Sequence, residues 1–82
     1  MIPKIKDVKV EEKYILKITF DDGKTVLYDV YDDIVNISYY KPLAEVDGLF
    51  ESVKLDESRT IVFWTEDIDL PSDMLYEYGK II

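Results

Sequence analysis

The chain has no cysteine and no histidine among its 82 residues. Their absence excludes disulfide bonds, thiol nucleophiles, zinc sites built from these two residue types, and any mechanism that needs an imidazole base. Only three glycines are present, each where a turn or a helix end is expected, so there is no glycine-rich phosphate-binding loop. We therefore expect a protein that is not an enzyme and holds no cofactor.

Long hydrophobic segments are also missing. The longest strictly apolar run covers residues 61–64, far too few to cross a bilayer. The first seven residues contain an early acid and lack the apolar core that signal peptides carry. These features predict a cytoplasmic protein that does not bind a membrane.

What the chain does have is the composition of one small folded domain over residues 1–82, with 48% hydrophobic residues and a formal net charge of −8. Residues 1–30 hold six lysines and six acids, whereas residues 31–82 hold four basic residues and twelve acids. The whole negative excess therefore lies after Val30. Because such a field repels phosphate backbones and attracts basic surfaces, we expect a basic protein as partner and no direct contact with nucleic acid. The alternative is that the acids only keep a small domain soluble.

Alternation of apolar and polar residues predicts a β-hairpin in the first third of the chain. Residues 14–20 and 25–30 each place one hydrophobic set on a single face, and Asp21-Asp22-Gly23 separates them. A three-residue loop with its glycine in the left-handed conformation sets Ile18 beside Val26. This register keeps both hydrophobic sets on the same face, whereas a shift by one residue would separate them.

Three further segments have recognisable patterns. The lysine-rich residues 4–10 predict a strand at the border of a sheet, since edge lysines oppose aggregation. Residues 31–51 are irregular and predict short helical turns. Residues 52–55 and 60–64 predict a second hairpin, and the latter run is apolar on both faces, as in an interior strand.

Residues 71–78 predict a C-terminal helix that ends at Gly79. Its expected buried stripe contains Met74, Leu75 and Tyr78. The whole pattern predicts an α+β fold: a small antiparallel β-sheet of about five strands, with short irregular helical turns in the middle and the C-terminal helix packed on the sheet.

The C-terminal end also carries the most specific family resemblance. Residues 69–77 match the Asp-(Ile/Leu)-x-x-Asp-x-Leu-Tyr-Glu signature of a bacterial family catalogued as domain of unknown function DUF 2442. The likeness covers nearly the whole chain and includes residues 19–23, residues 60–62 and Trp64; residues 65–68 depart from the family's usual Asn-Gly turn. The family has no assigned catalytic residues. The resemblance implies a small cytoplasmic protein, similar to members found in paired, toxin–antitoxin-like gene arrangements with another small protein.

Asp67 and Asp69 are the best candidates for a carboxylate pair. On an extended segment their side chains point the same way and could share Mg²⁺ or Ca²⁺, as a carboxylate–metal-dependent hydrolase requires. The calcium-loop spacing fails because Pro71 stands where the next oxygen ligand would be. We favour the structural interpretation, in which Asp69 accepts backbone N–H bonds at the start of the C-terminal helix.

Adjacent tyrosines in the irregular segment are candidates for a binding surface. Tyr39 and Tyr40 cannot both easily point inward, and exposed tyrosine beside acids is typical of protein interfaces; the alternative is that both lie flat over the sheet edge. We expect a non-enzymatic protein-binding module, antitoxin-like or an accessory partner of a small basic protein, with a nucleic-acid-mimicking inhibitor as the alternative. Both a monomer and a homodimer are compatible with the sequence. The expected contact residues are Tyr31, Asp32, Asp33, Tyr39, Tyr40, Glu66 and Asp67.

Overall fold

The alternating segments form two antiparallel sheets in the computed structural model, which describes residues 2–82. The first sheet contains four strands, in the spatial order β1 (Ile5–Glu12), β2 (Ile15–Phe20), β3 (Thr25–Asp29) and β7 (Lys80–Ile81). The second sheet contains three strands, in the spatial order β4 (Lys54–Leu55), β5 (Ile61–Phe63) and β6 (Asp69–Pro71).

Short helical segments connect the two sheets and precede the last strand. They are α1 (Tyr31–Asn36), a 3₁₀ turn (Ser38–Tyr40), α2 (Pro42–Glu45), a second 3₁₀ turn (Phe50–Ser52) and α3 (Ser72–Tyr78). The expected α+β class is confirmed, but the strands over residues 2–82 form two sheets, not one. Strands of two or three residues such as β4 and β7 are too short to show alternation in the sequence. Within the same residues, no helix is both long enough and apolar enough to cross a membrane.

The β2–β3 hairpin has the expected register, with Ile18 opposite Val26 and Leu16 opposite Tyr28. Gly23 has a φ of +93°, which L side chains rarely adopt, so the turn requires a glycine. β1 lies at the edge of its sheet, as predicted from its lysines.

One hydrophobic core combines side chains from both sheets and from the helical segments. The Trp64 ring stacks on Phe50 at 5.9 Å, and its indole N–H donates to the Phe50 carbonyl at 2.9 Å. Tyr14 meets Phe50 edge-on at 5.2 Å. The only polar group of the Trp64 side chain is therefore satisfied inside the core. The fully buried hydrophobic side chains include Ile5, Leu16, Ile18, Phe20, Val26, Val30, Phe50, Val62, Leu70 and Leu75.

β5 differs from the expected interior strand. It is central in its sheet, and Val62 and Trp64 are buried, but Ile61 and Phe63 on the other face are only half-buried. The strand is therefore fully covered on one face only.

The C-terminal helix begins at Ser72, one residue later than expected, because Pro71 still pairs with Ile61 as the last residue of β6. The Ser72 hydroxyl donates to the Pro3 carbonyl at 2.7 Å, and its backbone N–H donates to the Thr60 carbonyl at 2.8 Å. Ser72 is completely buried. This serine thus ties the start of α3 to both the N-terminal segment and the second sheet.

The expected buried stripe of α3 is partly wrong. Leu75 is buried and Met74 half-buried, but Tyr78 is 75% exposed. Tyr76 packs inward instead, with its ring edge-on to Phe20 at 4.8 Å. In a helix of seven residues, Leu75 can belong to either neighbouring stripe, so periodicity alone does not choose between them.

Gly79 ends α3 as expected, and the structure shows why this position is a glycine. Its φ of −68° is open to any residue. A Cβ atom at this position would lie 2.6 Å from Val26 Cγ2 and 2.6 Å from the Leu75 carbonyl oxygen. The chain needs glycine here because the helix end passes directly against β3.

Candidate functional site

The first expected contact residues lie on α1, which begins directly after β3. The Asp29 carboxylate accepts the Tyr31 backbone N–H at 2.9 Å, and Asp32 and Asp33 occupy the first turn, where the helix dipole favours negative charge. Ile34 faces the core, which leaves Tyr31 and Asp32 exposed on the outer side of the helix.

Two phenol groups beside α1 are committed to internal hydrogen bonds. The Tyr28 hydroxyl donates to Asp33 Oδ2 at 2.7 Å, and the Tyr40 hydroxyl donates to the Asp69 backbone carbonyl at 3.0 Å. Burial has the largest effect on Tyr28 and, together with the hydrogen bond to Asp33, raises its pKa well above the usual range. Burial, and then the carboxylates of Asp33 and Asp69, raise the pKa of Tyr40. Both phenols therefore stay neutral at physiological pH and act as fixed donors.

The two adjacent tyrosines have different roles. Tyr40 is half-buried, whereas Tyr39 is 51% exposed. Their rings meet edge-on at 5.4 Å. The expectation that one of the pair is exposed is confirmed, and the alternative that both lie flat over the sheet edge is wrong. The half-buried Tyr40 ring therefore supports the exposed Tyr39 ring by direct contact.

Exposed hydrophobic side chains concentrate in the same region. We call residues 31–46 the tyrosine segment; they cover α1, the first 3₁₀ turn, α2 and the residue after it. Nine large hydrophobic residues are exposed in the part of the chain that the structure describes, and five of them belong to this segment. With exposed fractions of 44–52%, they are Tyr31, Val35, Ile37, Tyr39 and Val46.

Val35, Ile37 and Val46 are not among the residues predicted from the sequence. A signal was present, because residues 34–37 contain three aliphatic side chains in four positions, and Ile34 alone fills the space toward the core. A helix of six residues followed by a tight turn cannot bury them all on one face.

Glu66 and Asp67 lie in the turn between β5 and β6. The Thr65 hydroxyl accepts the backbone N–H groups of Asp67 at 3.1 Å and Ile68 at 3.2 Å, which fixes the turn. Both carboxylates are exposed. Over residues 2–82, no hydrogen bond or ion pair joins Glu66 or Asp67 to the tyrosine segment; the direct link is the hydrogen bond from Tyr40 to the Asp69 carbonyl.

The helix-cap interpretation of Asp69 is wrong. Asp69 belongs to β6, and the N-cap residue of α3 is Pro71, without a side-chain hydrogen bond at the cap. Asp67 and Asp69 have no third His, Cys, Asp or Glu beside them among the described residues. In the described part of the chain, no three residues of the types His, Cys, Asp or Glu come together to hold an ion.

Within the described residues, every acid that forms an ion pair lies in the early part of the chain. Within residues 2–82 the ion pairs are Lys9–Asp7 and Lys17–Glu11, each at 3.9 Å, and Arg59–Asp21 at 2.8 Å. All three acids precede Val30. None of the twelve acids after Val30 forms an ion pair inside this range, so no contacting cation cancels their charge.

These twelve acids are distributed over several elements of the fold. Asp32 and Asp33 lie on α1, whereas Asp73 and Glu77 on α3 line a groove together with Asp22 from the β2–β3 turn. The tyrosine segment and its continuation to residue 51 hold five acids against one lysine. Only a part of the negative charge after Val30 therefore lies near the exposed tyrosines.

The geometry defines a small acidic α+β domain with an uncovered aromatic and aliphatic segment. The chain belongs to the family described as "Protein of unknown function (DUF2442)", whose model matches residues 5–80. This match confirms the resemblance found in the sequence. No curated protein and no solved structure matches the chain.

Proposed function

We propose that this protein is a non-enzymatic binding module, of the antitoxin-like or accessory type, that docks a small basic protein on its tyrosine segment. The observation that carries the proposal is the coincidence of five exposed hydrophobic side chains with carboxylates that form no ion pair within residues 2–82. The expected contacts are Tyr31, Asp32, Asp33, Tyr39 and Tyr40, with Glu66 and Asp67 at the border.

The hydrophobic part of the segment supports a protein partner. Soluble domains rarely expose contiguous apolar patches unless a partner or ligand covers them. Tyr31 and Tyr39 are each 51% exposed, and tyrosine is among the residues most enriched at the centres of interfaces. A tyrosine ring buries a large area with few rotatable bonds, so its ordering costs little on binding.

The internal hydrogen bonds support a preorganised surface. Asp33 is fixed by the Tyr28 hydroxyl, and Tyr40 is fixed on the Asp69 carbonyl and holds the Tyr39 ring edge-on. The exposed aromatic ring is thus supported before a partner arrives, which lowers the entropic cost of association.

The charge supports a basic partner. Five acids and one lysine in residues 31–51 give this region a net charge of −4. Such a surface accelerates encounter with a positively charged protein, and the acceleration falls as salt shortens the range of the field. Because all of these acids except Asp33 are exposed, we expect them to set the rate of association more than the final affinity.

The test is an affinity capture with a matched pair of tyrosine variants. The tagged protein is exposed to lysate of its native cell at about 50 mM and about 500 mM salt, which correspond to long and short screening lengths. The variant Tyr39→Ser removes the supported ring, and Tyr78→Ser removes a still more exposed tyrosine on α3, outside the segment. Captured proteins are identified, purified and titrated against each variant.

The proposal predicts a basic protein that is retained at low salt, lost at high salt, lost with Tyr39→Ser and kept with Tyr78→Ser. Competition by an oligonucleotide for that partner would identify it as a nucleic-acid-binding protein and favour the inhibitor form of the function. A partner that both variants lose equally, or the absence of any partner at low salt, would overturn the proposal.

A further inference from the structure

A concave surface lies apart from the tyrosine segment. It is a groove of about 410 Å³ between the N-terminal residues, the β2–β3 turn and α3. No residue of the tyrosine segment lines it, so an inference about this groove is independent of the function proposed above. Its volume falls in the range of clefts that hold small molecules.

The floor of this groove is aromatic and aliphatic. Phe20 and Tyr76 contact each other edge-on at 4.8 Å, and Ile2 and Pro3 also line the groove. Tyr76 is held firmly, since its hydroxyl donates to Asp22 Oδ2 at 2.6 Å. The floor therefore offers a rigid apolar surface for the body of a ligand.

Carboxylates form the rim. Asp22 comes from the turn, and Asp73 and Glu77 lie four residues apart on α3, which places them on the same side of the helix. The hydrogen bond from Tyr76 lowers the pKa of Asp22 and keeps this carboxylate charged. In residues 2–82, neither Asp73 nor Glu77 forms an ion pair.

Of three cations near the groove, Lys4 and Arg59 are directed elsewhere, whereas Lys24 contacts Tyr76. The Lys4 ammonium donates to the Ser58 carbonyl at 3.3 Å, and Arg59 pairs with Asp21 at 2.8 Å. The Lys24 ammonium donates to the Tyr76 carbonyl at 2.9 Å and lies 3.8 Å from the centre of the Tyr76 ring. This last contact shows that the ring and its surroundings accommodate an ammonium group.

We propose that the groove binds a small organic cation, a protonated amine attached to an apolar body. The ammonium group would lie between Asp73, Glu77 and Asp22, and the body would cover Phe20 and Tyr76. The carboxylate rim rejects an organic anion of the same shape by like-charge repulsion. It also favours the amine over a neutral analogue, because a hydroxyl donates to a carboxylate without the attraction between opposite charges.

Three probes of one shape test the proposal. The ¹⁵N-labelled protein is titrated by NMR with phenethylamine, 2-phenylethanol and phenylacetate, which share one aromatic body and differ in charge. We expect saturable shifts for phenethylamine at residues of the groove, centred on Phe20, Tyr76 and Glu77. At equal concentrations the alcohol and the acid should leave these signals in place.

Two variants test which carboxylates bind the ammonium group. Glu77→Gln and Asp73→Asn change exposed side chains and leave the floor intact, so we expect each to weaken phenethylamine binding about fivefold to tenfold. Glu66→Gln, an exposed carboxylate outside the groove, is the control and should bind as the parent does. The fold of every variant is checked by its amide spectrum before titration.

Equal binding of the alcohol, or equal binding by all variants, would overturn the proposal in favour of a purely apolar cleft. It would also be overturned by shifts centred on the tyrosine segment, or by no saturable shift up to about 10 mM phenethylamine, where binding would be too weak to be specific. None of these results depends on a protein partner, so they leave the proposed function to its own test.

Discussion

The hydroxyl of Tyr40 donates a hydrogen bond to the backbone carbonyl of Asp69, 3.0 Å away and 29 positions later in the chain. This bond joins the 3₁₀ turn of the tyrosine segment to the edge strand β6 of the three-stranded sheet. Tyr39 rests on the fixed ring. Loss of the bond should therefore affect both folding and the presentation of Tyr39.

We predict that Tyr40→Phe lowers the free energy of unfolding by about 0.5–1.5 kcal/mol, the usual net contribution of one hydrogen bond. The ring and its packing remain, so the change isolates the hydroxyl. Urea denaturation measures the effect. Tyr39→Phe is the matched control, because no hydrogen bond of the Tyr39 hydroxyl exists within residues 2–82, and it should leave stability unchanged. Equal effects of both substitutions would contradict the assigned role of Tyr40.

We predict that the stabilisation contributed by Tyr28 is lost in alkaline solution. Burial and the neighbouring Asp33 carboxylate raise its pKa in the folded state above the unfolded value of about 10. A raised pKa favours the protonated form in the folded protein, so its stabilisation is complete below pH 10. It is lost as pH rises from about 10 toward the folded-state pKa.

The measurement is the free energy of unfolding from about pH 9 to about pH 11, across the ordinary tyrosine pKa. Lysines also titrate in this range, so the informative quantity is the difference between the parent and Tyr28→Phe. We expect the parent to lose its advantage over the variant as pH rises. A difference that stays constant with pH would show that the Tyr28 hydroxyl keeps an ordinary pKa.

We predict that any side chain at position 79 causes a steric clash, which the sequence alone does not reveal. Gly79→Ala places a methyl group 2.6 Å from Val26 Cγ2, in a fully buried part of the core, and should destabilise the fold by about 1–3 kcal/mol. Thermal unfolding measures this.

Gly48→Ala provides the comparison for this glycine. Gly48 has a φ of +80° and no atom within 4 Å of an added Cβ, so its cost of about 1–2 kcal/mol comes from backbone conformation alone. Asn at position 48 should recover part of this loss, since asparagine tolerates left-handed φ, whereas Asn at position 79 should worsen the clash. Recovery at position 79 would contradict the close-approach explanation.

The parts of the fold that could be predicted are those in which a turn and a hydrophobic pattern agree. Gly23 and the alternation on both sides of it determine the β2–β3 register, because any slip moves Ile18 and Val26 to opposite faces. The three-residue strand β6 could not be predicted. It contains a proline, which the sheet accepts because β6 is an edge strand.

The candidate site was predictable to a similar extent. The exposure of Tyr31 and Tyr39 follows from adjacent aromatics in an irregular segment. The internal role of Tyr40 depends on a contact with Asp69, which is distant in sequence. Val35 and Ile37 were missed because the six-residue helix α1 is too short for periodicity to separate its inner and outer faces.

Charge reversal on α1 predicts a change in association rate. Asp32→Lys alters an exposed carboxylate of the tyrosine segment, and Glu12→Lys makes the same change in net charge at the exposed end of β1. With the captured basic partner, we expect Asp32→Lys to reduce the association rate at low salt by about tenfold and to reduce its salt dependence. Stopped-flow or surface-based kinetics measure this. An equal reduction by Glu12→Lys would indicate that net charge alone acts, without a localised contact.

We predict that replacing the exposed aliphatic side chains of the tyrosine segment weakens partner binding but leaves the stability of the fold nearly unchanged. Val35 is 49% exposed and Ile37 is 44% exposed, so Val35→Thr and Ile37→Thr should each change the free energy of unfolding by less than about 0.5 kcal/mol. If a partner covers this segment, the double variant should bind it about tenfold more weakly, since two hydrophobic contacts are lost. Isothermal titration calorimetry and urea denaturation measure the two quantities on the same samples. The buried neighbour provides the opposite case: Ile34→Ala should cost about 2–5 kcal/mol of stability. A double variant that binds as tightly as the parent would show that the exposed aliphatic side chains have no role in recognition and would leave the contact to the tyrosines and carboxylates of the segment.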